Sequence, residues 1–321
     1  MNPSNRILSS TAERAYWLGR YLERADSTAR LVTVNSRLHY DMPRRMPLAW
    51  NGLVSITGSR DLFEEYFDET NERNVCRYLI NEARNTGSLI RSLDFARENV
   101  RTLRGIIPRK SVEYINDLHR YAREFLSEPL SRTRRMEGLA EVQSYIQRID
   151  GFLSANMLHD AHWTFLRLGN YIERADMSSR IIEAGCDDIF DDASDLAPFT
   201  DIQWRSVLMS LDATQGYNQV VQGPISQEAV LEFLVHETQL PRSLAYPLDS
   251  LRNGVKDLPR NDRVLRAINR LRRNNASTQL GSLEIKQVQA FLDDFQAQLA
   301  GIDGLIRKTY FQYKPRRRKK T

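Results

Sequence analysis

Between Gly19 and Val32 the chain reads GRYLERADSTARLV, and between Gly169 and Ile182 it reads GNYIERADMSSRII. Gly, Tyr, Glu, Arg, Ala, Asp and Arg recur in the same places at a constant offset of 150 (169 − 19, 173 − 23, 180 − 30). Self-similarity at a fixed spacing is the signature of a tandem duplication. It constrains the fold strongly, because each copy has to offer its partner a matching surface.

The likeness extends beyond the motif. Trp50, followed by Leu53 and Val54, is matched 154 positions on (204 − 50) by Trp204, followed by Val207 and Leu208. Val75, Leu79, Ser88, Leu93, Arg97 and Val100 are matched by Val230, Leu234, Ser243, Leu248, Arg252 and Val255, at an offset of 155 (230 − 75). The drift from 150 to 155 fits a few loop residues added in the second copy. The copies then run over about 8–110 and about 158–260, with helices 109–150 between them and 261–312 after the second.

Gly and Pro are sparse, and apolar residues recur at steps of three and four almost throughout, which is the helical period. Strand-like alternation is nearly absent. Helices are predicted over about 8–40, 50–68, 72–90, 91–105, 109–127, 133–150, 155–186, 200–215, 225–237, 241–257, 261–273 and 282–312. The segments DMPRRMP (41–47), SEPLSRTRR (127–135) and DDIFDDASDLAP (187–198) read as loops, and GIIPRKS (105–111) as a helix stop with a Pro restart. None is long enough for a flexible linker. The expectation is therefore an all-α fold, a single helical unit over residues 1–314 built from two tandem pseudo-repeats with the motif helices central, followed by a disordered basic tail over 315–321.

With Leu18 placed at 0° on a helical wheel, Leu18, Leu22, Ala25, Ala29 and Val32 cluster within about 40° as a core stripe. Gly19, Glu23, Asp26 and Arg30 form a second face between about 80° and 140°, two carboxylates and a guanidinium around a residue with no side chain. Gly169, Glu173, Asp176 and Arg180 repeat it. A glycine inside a helix costs roughly 0.5–1 kcal/mol against alanine, so two at one motif position imply a close approach, by a helix or by a ligand. Asp26 with Arg30 and Asp176 with Arg180 have the i,i+4 spacing of surface ion pairs. Three readings stay open: a solvated helical face, a buried ionic network that docks the copies, and a charged pocket for a metal-bound or anionic ligand. Arg24 and Arg174 lie on another flank, which predicts a separate partner for them.

Composition bounds the function class. A chain of 321 residues buries a core without staples. Cys76 and Cys186 have no C-x-x-C partner and read as buried thiols in a reducing, cytoplasmic setting. No segment reaches the roughly 18 apolar residues of a membrane span, and MNPSNRILSSTAERAYW carries no signal-type apolar stretch. The formal charge of +5 leaves −1 (5 − 6) once the six cations of the terminal KPRRRKKT are set aside, so nucleic-acid binding would rest on that tail alone and is disfavoured. His159 and His162 have helical metal-ligand spacing but lack a third ligand, and HETQL at 236–240 ends in Leu240 where a zinc motif needs His. No nucleotide-binding glycine loop and no nucleophile elbow is present, so no cofactor is bound by a recognisable motif and no metal site is expected.

The paired motifs YWLGRYLERADSTARL and FLRLGNYIERADMSSRII, with SLDFARENVRTLR and FLVHETQLPRSLAYPL, resemble the bacterial α-E family, all-helical proteins with a recurring Glu-Arg motif. The resemblance covers nearly the whole chain except the basic tail. Members of that family occur beside, or fused to, circularly permuted ATP-grasp proteins, often with a transglutaminase-like protein and sometimes near a proteasome-related peptidase. The resemblance therefore implies an accessory or catalytic component of an ATP-grasp-type amide ligase or peptide-modification system, with ATP and magnesium held by the partner. A non-catalytic helical scaffold is the alternative. The candidate site residues that it carries over are Gly19, Tyr21, Glu23, Arg24, Asp26 and Arg30, with Gly169, Tyr171, Glu173, Arg174, Asp176 and Arg180. Arg97, Glu98 and Asn99 match the family's AREN segment, and Pro241, Arg242 and Ser243 its PRS segment. The second copy departs at AREN, where Leu251, Arg252, Asn253 and Gly254 lack the Glu.

Overall fold

A computed structural model describes residues 9–41, 50–58, 60–127, 130–186 and 200–312. The predicted loops over 41–47 and 187–198 and the basic tail over 315–321 lie wholly or almost wholly outside these residues. Fourteen α-helices follow in order among the described residues: α1 (Ser9–Asp41), α2 (Asn51–Ile56), α3 (Arg60–Tyr66), α4 (Glu72–Ile80), α5 (Leu89–Thr102), α6 (Arg109–Phe125), α7 (Arg132–Asn156), α8 (Ala161–Ala184), α9 (Thr200–Ser210), α10 (Thr214–Val220), α11 (Gln227–His236), α12 (Ala245–Lys256), α13 (Asp262–Ser277) and α14 (Ile285–Ile306). The fold is all-α, and the only β pairing among the described residues is an isolated bridge between Arg104 and Ile107. No described helix is long and apolar enough to cross a membrane.

Side-chain caps place the boundaries that periodicity alone blurred. Asp160 accepts from the backbone N–H of His162 (2.8 Å) and Trp163 (3.3 Å), so α8 starts at Ala161 and is severed from α7. Ser131 accepts from Arg134 N–H, which puts the start of α7 inside the predicted loop over 127–135. The span predicted as one helix over 72–90 is interrupted, because Asn85 and Ser88 turn inward. Asn85 Nδ2 donates to the Tyr78 carbonyl at 3.0 Å and Ser88 Oγ to the Glu82 carbonyl at 3.1 Å. Asp212, at φ 52°, closes α9 with the 6→1 bond from Ala213 N–H to the Leu208 carbonyl at 2.8 Å, and α10 follows at once.

At the centre α1 and α8 run side by side in the same direction, early residues against early and late against late. Around α1 pack α5, α7 and α9; around α8 pack α12, α14 and α2. The outer contacts run α5 to α6 to α7, and α12 to α13 to α14. Both central helices are therefore covered on more than one side, which is why each carries an apolar stripe and a buried charged face. The core holds the fully buried Tyr16, Tyr78, Trp204 and Tyr217. A π-helical turn over Arg307–Phe311 extends α14 and lays Phe311 on Tyr16, ring centroids 5.4 Å apart.

Candidate functional site

The motif glycines are the crossing point of α1 and α8. A Cβ on Gly19 would stand 3.0 Å from Asn170 N and 3.1 Å from the Leu166 carbonyl carbon, and closer still to the Leu166 oxygen. A Cβ on Gly169 would stand 2.8 Å from the carbonyl carbon of Tyr16 and closer to its oxygen. These neighbours are backbone atoms, so each glycine admits a helix and not a ligand.

Because the backbones nearly touch, the charged side chains one turn further on face each other across the pair. Glu173 receives Arg20 Nε at 2.5 Å, Arg24 Nε at 2.5 Å and Arg24 Nη2 at 3.0 Å. Glu23 receives Arg174 Nε at 3.0 Å and Nη2 at 2.7 Å, Asn170 Nδ2 at 2.8 Å and Arg242 Nη1 at 2.7 Å. The Glu-Arg dipeptides are thus exchanged: each arginine takes the other helix's glutamate in a side-on fork. The separate partner expected for Arg24 and Arg174 is the opposite motif.

Burial makes these contacts consequential. Glu23 is 3 % and Glu173 1 % exposed. Burial alone pushes both carboxyl groups up, but Arg174 and Arg242 hold Glu23 well below the ordinary carboxylate range, and Arg20 with Arg24 hold Glu173 down at about 2. Arg20 also donates to Asp303 of α14 at 2.9 Å, where the Tyr16 hydroxyl donates too. Burial pushes the Tyr16 phenol up.

The aspartates differ between the motifs. Asp26 is buried and accepts from both Arg30 and Arg242, the latter at 2.8 Å. Asp176 accepts from Arg180 at 3.1 Å, and both side chains remain a quarter or more exposed. The i,i+4 pairs expected from the spacing are present, one inside the core and one at its rim.

The remaining candidates lie around this network. Tyr21 stacks on Trp17, centroids 5.5 Å apart, and packs on Phe95. The Tyr171 hydroxyl accepts from Arg167 at 3.1 Å. Ser243 is buried and accepts from Tyr246 N–H at 3.0 Å, seating the start of α12 and thereby its neighbour Arg242. The AREN segment splits. Asn99 is buried and accepts from Arg14 at 3.0 Å, while Arg97 and Glu98 face outward, paired with Asn116 and Arg101. His159 lies flat on Trp163 and His162 bridges Thr11 and Asp160. Among the described residues no three His, Cys, Asp or Glu side chains could share a metal ion. Cys76 and Cys186 are both buried.

Four contributors were missed in the sequence: Arg20, Asn170, Tyr16 and Asp303. Arg20 and Asn170 had a signal, since each directly follows its motif glycine and both are polar at a buried crossing. Tyr16 and Asp303 had none, because Asp303 comes from the last helix.

No solved structure matches the chain. An uncharacterized protein of Mycobacterium bovis and two of Mycobacterium tuberculosis strains are each 26 % identical to it over 323 aligned positions, which take in 92 % of this chain and 34 % of the relative. The chain thus spans about a third of the length of the curated relatives it matches. The Alpha-E family, described as a predicted alpha-helical domain with a conserved ER motif, matches residues 7–311. Its ER motif stands here twice, as Glu23-Arg24 and Glu173-Arg174, and the chain belongs to the Alpha-E family.

Proposed function

We propose that this chain is an accessory component of an ATP-grasp-type amide ligase or peptide-modification system, and that its twin Glu-Arg motifs clasp two halves of one helical unit rather than bind substrate. The observation that carries the clasp is the exchange of partners between Arg24–Glu173 and Arg174–Glu23 at a glycine-on-backbone crossing. Glu23 and Glu173 are buried with both oxygens bonded by arginine or asparagine side chains and are held ionised, which favours the docking network over the charged pocket. The accessory role rests on the family resemblance. It is supported by the length of the mycobacterial relatives, in which the matched region is one part of a longer polypeptide.

The same geometry supports the duplication and widens it. The packing order α1, α5, α6, α7 is paralleled by α8, α12, α13, α14. Gly58 and Asp212, 154 positions apart (212 − 58), both have positive φ. Each lies by the other half's last motif arginine: a Cβ on Gly58 would stand 3.1 Å from Arg180 Nη1, and the charge of Asp212 acts on Arg30. On this reading the copies run over about 9–156 and 161–312, and the helices first set between and after the copies are their own third and fourth long helices.

The test is reconstitution. The purified chain is incubated with and without an ATP-grasp protein from the same genome, with ATP, magnesium and amino acids, and ADP and new amide products are measured. Product that needs both proteins supports the accessory role; product at full rate from the partner alone refutes it. A titration of short duplex nucleic acid at low salt, with and without residues 314–321, tests the disfavoured alternative.

A further inference from the structure

A cavity of about 920 Å³ lies apart from the clasp, between α4, the end of α6 and the first turn of α7. Four arginines, Arg73, Arg77, Arg132 and Arg135, line it against two carboxylates, Glu72 and Glu82. The carboxylates do not cancel the cations. Glu72 is shared between Arg132, through Nε at 2.8 Å, and Arg135. Glu82 is held by Arg84, at 2.8 Å, from outside the cavity and only loosely by Arg77, at 3.9 Å, so the lining keeps more guanidiniums than carboxylates. Arg135 is buried, and its Nε–H meets no acceptor, an arrangement that costs stability unless something else supplies the acceptor. The rest of the wall is mostly apolar, with Ile80, Ala83, Leu126, Leu130 and Cys76, whose thiol burial pushes up to about 12 and so keeps neutral; Asn81 and Ser127 are its uncharged polar members.

We propose that this cavity binds a small molecule made of a carboxylate head and an apolar body. Its volume falls in the range of small-molecule sites, which are mostly apolar with a few placed charges. The head is assigned from the site's own chemistry, since the Arg132 fork already holds one carboxylate, that of Glu72, and planar guanidinium forks match planar carboxylates. The site is independent of the ligase reading, because binding is measured on this chain alone.

Octanoate, octyl phosphate, octylamine and octanol are titrated into the purified chain by calorimetry, with amide chemical shifts followed in parallel. Octanoate is expected to bind at sub-millimolar concentration, to move the amides of Cys76 and Ile80, and to bind at least about tenfold more tightly than the amine or the alcohol. Arg73→Gln with Arg77→Gln changes two exposed rim side chains. The pair should leave the thermal melt in place and weaken octanoate about tenfold or more. Equal binding of octylamine, undiminished octanoate affinity in the variant, or no octanoate binding up to about 10 mM overturns the proposal. Octyl phosphate binding more than about tenfold tighter than octanoate overturns the carboxylate assignment.

Discussion

Alanine at Gly169 separates a helix crossing from a ligand wall by the sign of its effect. The new Cβ would lie 2.8 Å from the Tyr16 carbonyl carbon and nearer to its oxygen, and both are backbone atoms of a helix packed on several sides. Relief requires α1 and α8 to part by about 1 Å, which loosens the tight interface and lengthens the arginine–glutamate contacts that span it. Overpacking of this kind typically costs about 1–3 kcal/mol, and the upper end applies here because no flexible side chain can give way. Alanine's better helix propensity returns about 1 kcal/mol. The expected net is a loss of about 2 kcal/mol, read as a lower urea midpoint at unchanged slope. Gly151→Ala and Gly301→Ala are the controls: both glycines are helical and exposed, and a Cβ added to either would meet nothing within 4 Å. They should stabilise by up to about 1 kcal/mol. If Gly169→Ala stabilised as the controls do, the two helices would not cross at the motif glycines.

Other outcomes follow from the same network. Glu173→Gln keeps shape but leaves Arg24 without its anion and Arg20 with Asp303 alone, and breaking a buried pair costs about 3–5 kcal/mol, so the melt should fall steeply whether or not a partner is present. Asp176→Asn should cost much less than Asp26→Asn, since Asp176 is at the rim with Arg180 while Asp26 is buried between two guanidiniums; denaturation of both variants tests the order. Glu173 is held down at about 2 from an ordinary 4.5, so its contribution is complete above about pH 5 and is lost as pH falls toward 2. That shift corresponds to about 3 kcal/mol, and urea midpoints taken from pH 6 down to pH 3 should drop in the wild type more than in Glu173→Gln.

The sequence made legible what depends on period and spacing. Apolar steps of three and four placed the long helices, and the twin glycines marked the close approach. It did not show the exchange of arginines, because a wheel assigns Arg24 to the flank of its Cβ, whereas a side chain that long bends back to the facing helix. Nor could it separate a pocket from a clasp, since Glu23 needs Arg242 from 219 positions away and Asp303 joins from 283 positions beyond Arg20. Local side-chain bonds explain the remaining differences: Asp160 caps the start of α8, and Asn85 and Ser88 bond backbone carbonyls where a stretch predicted as one helix is interrupted.

The central claim is that the two Glu-Arg motifs hold each other. A double-mutant cycle on Arg24→Met and Glu173→Gln, read by urea denaturation of the four proteins, tests it most directly. The expected coupling energy is about 1–3 kcal/mol, with the double variant recovering part of the stability that Glu173→Gln alone loses. Additive losses, within about 0.3 kcal/mol, would show that Arg24 and Glu173 do not act on one another and would contradict the clasp.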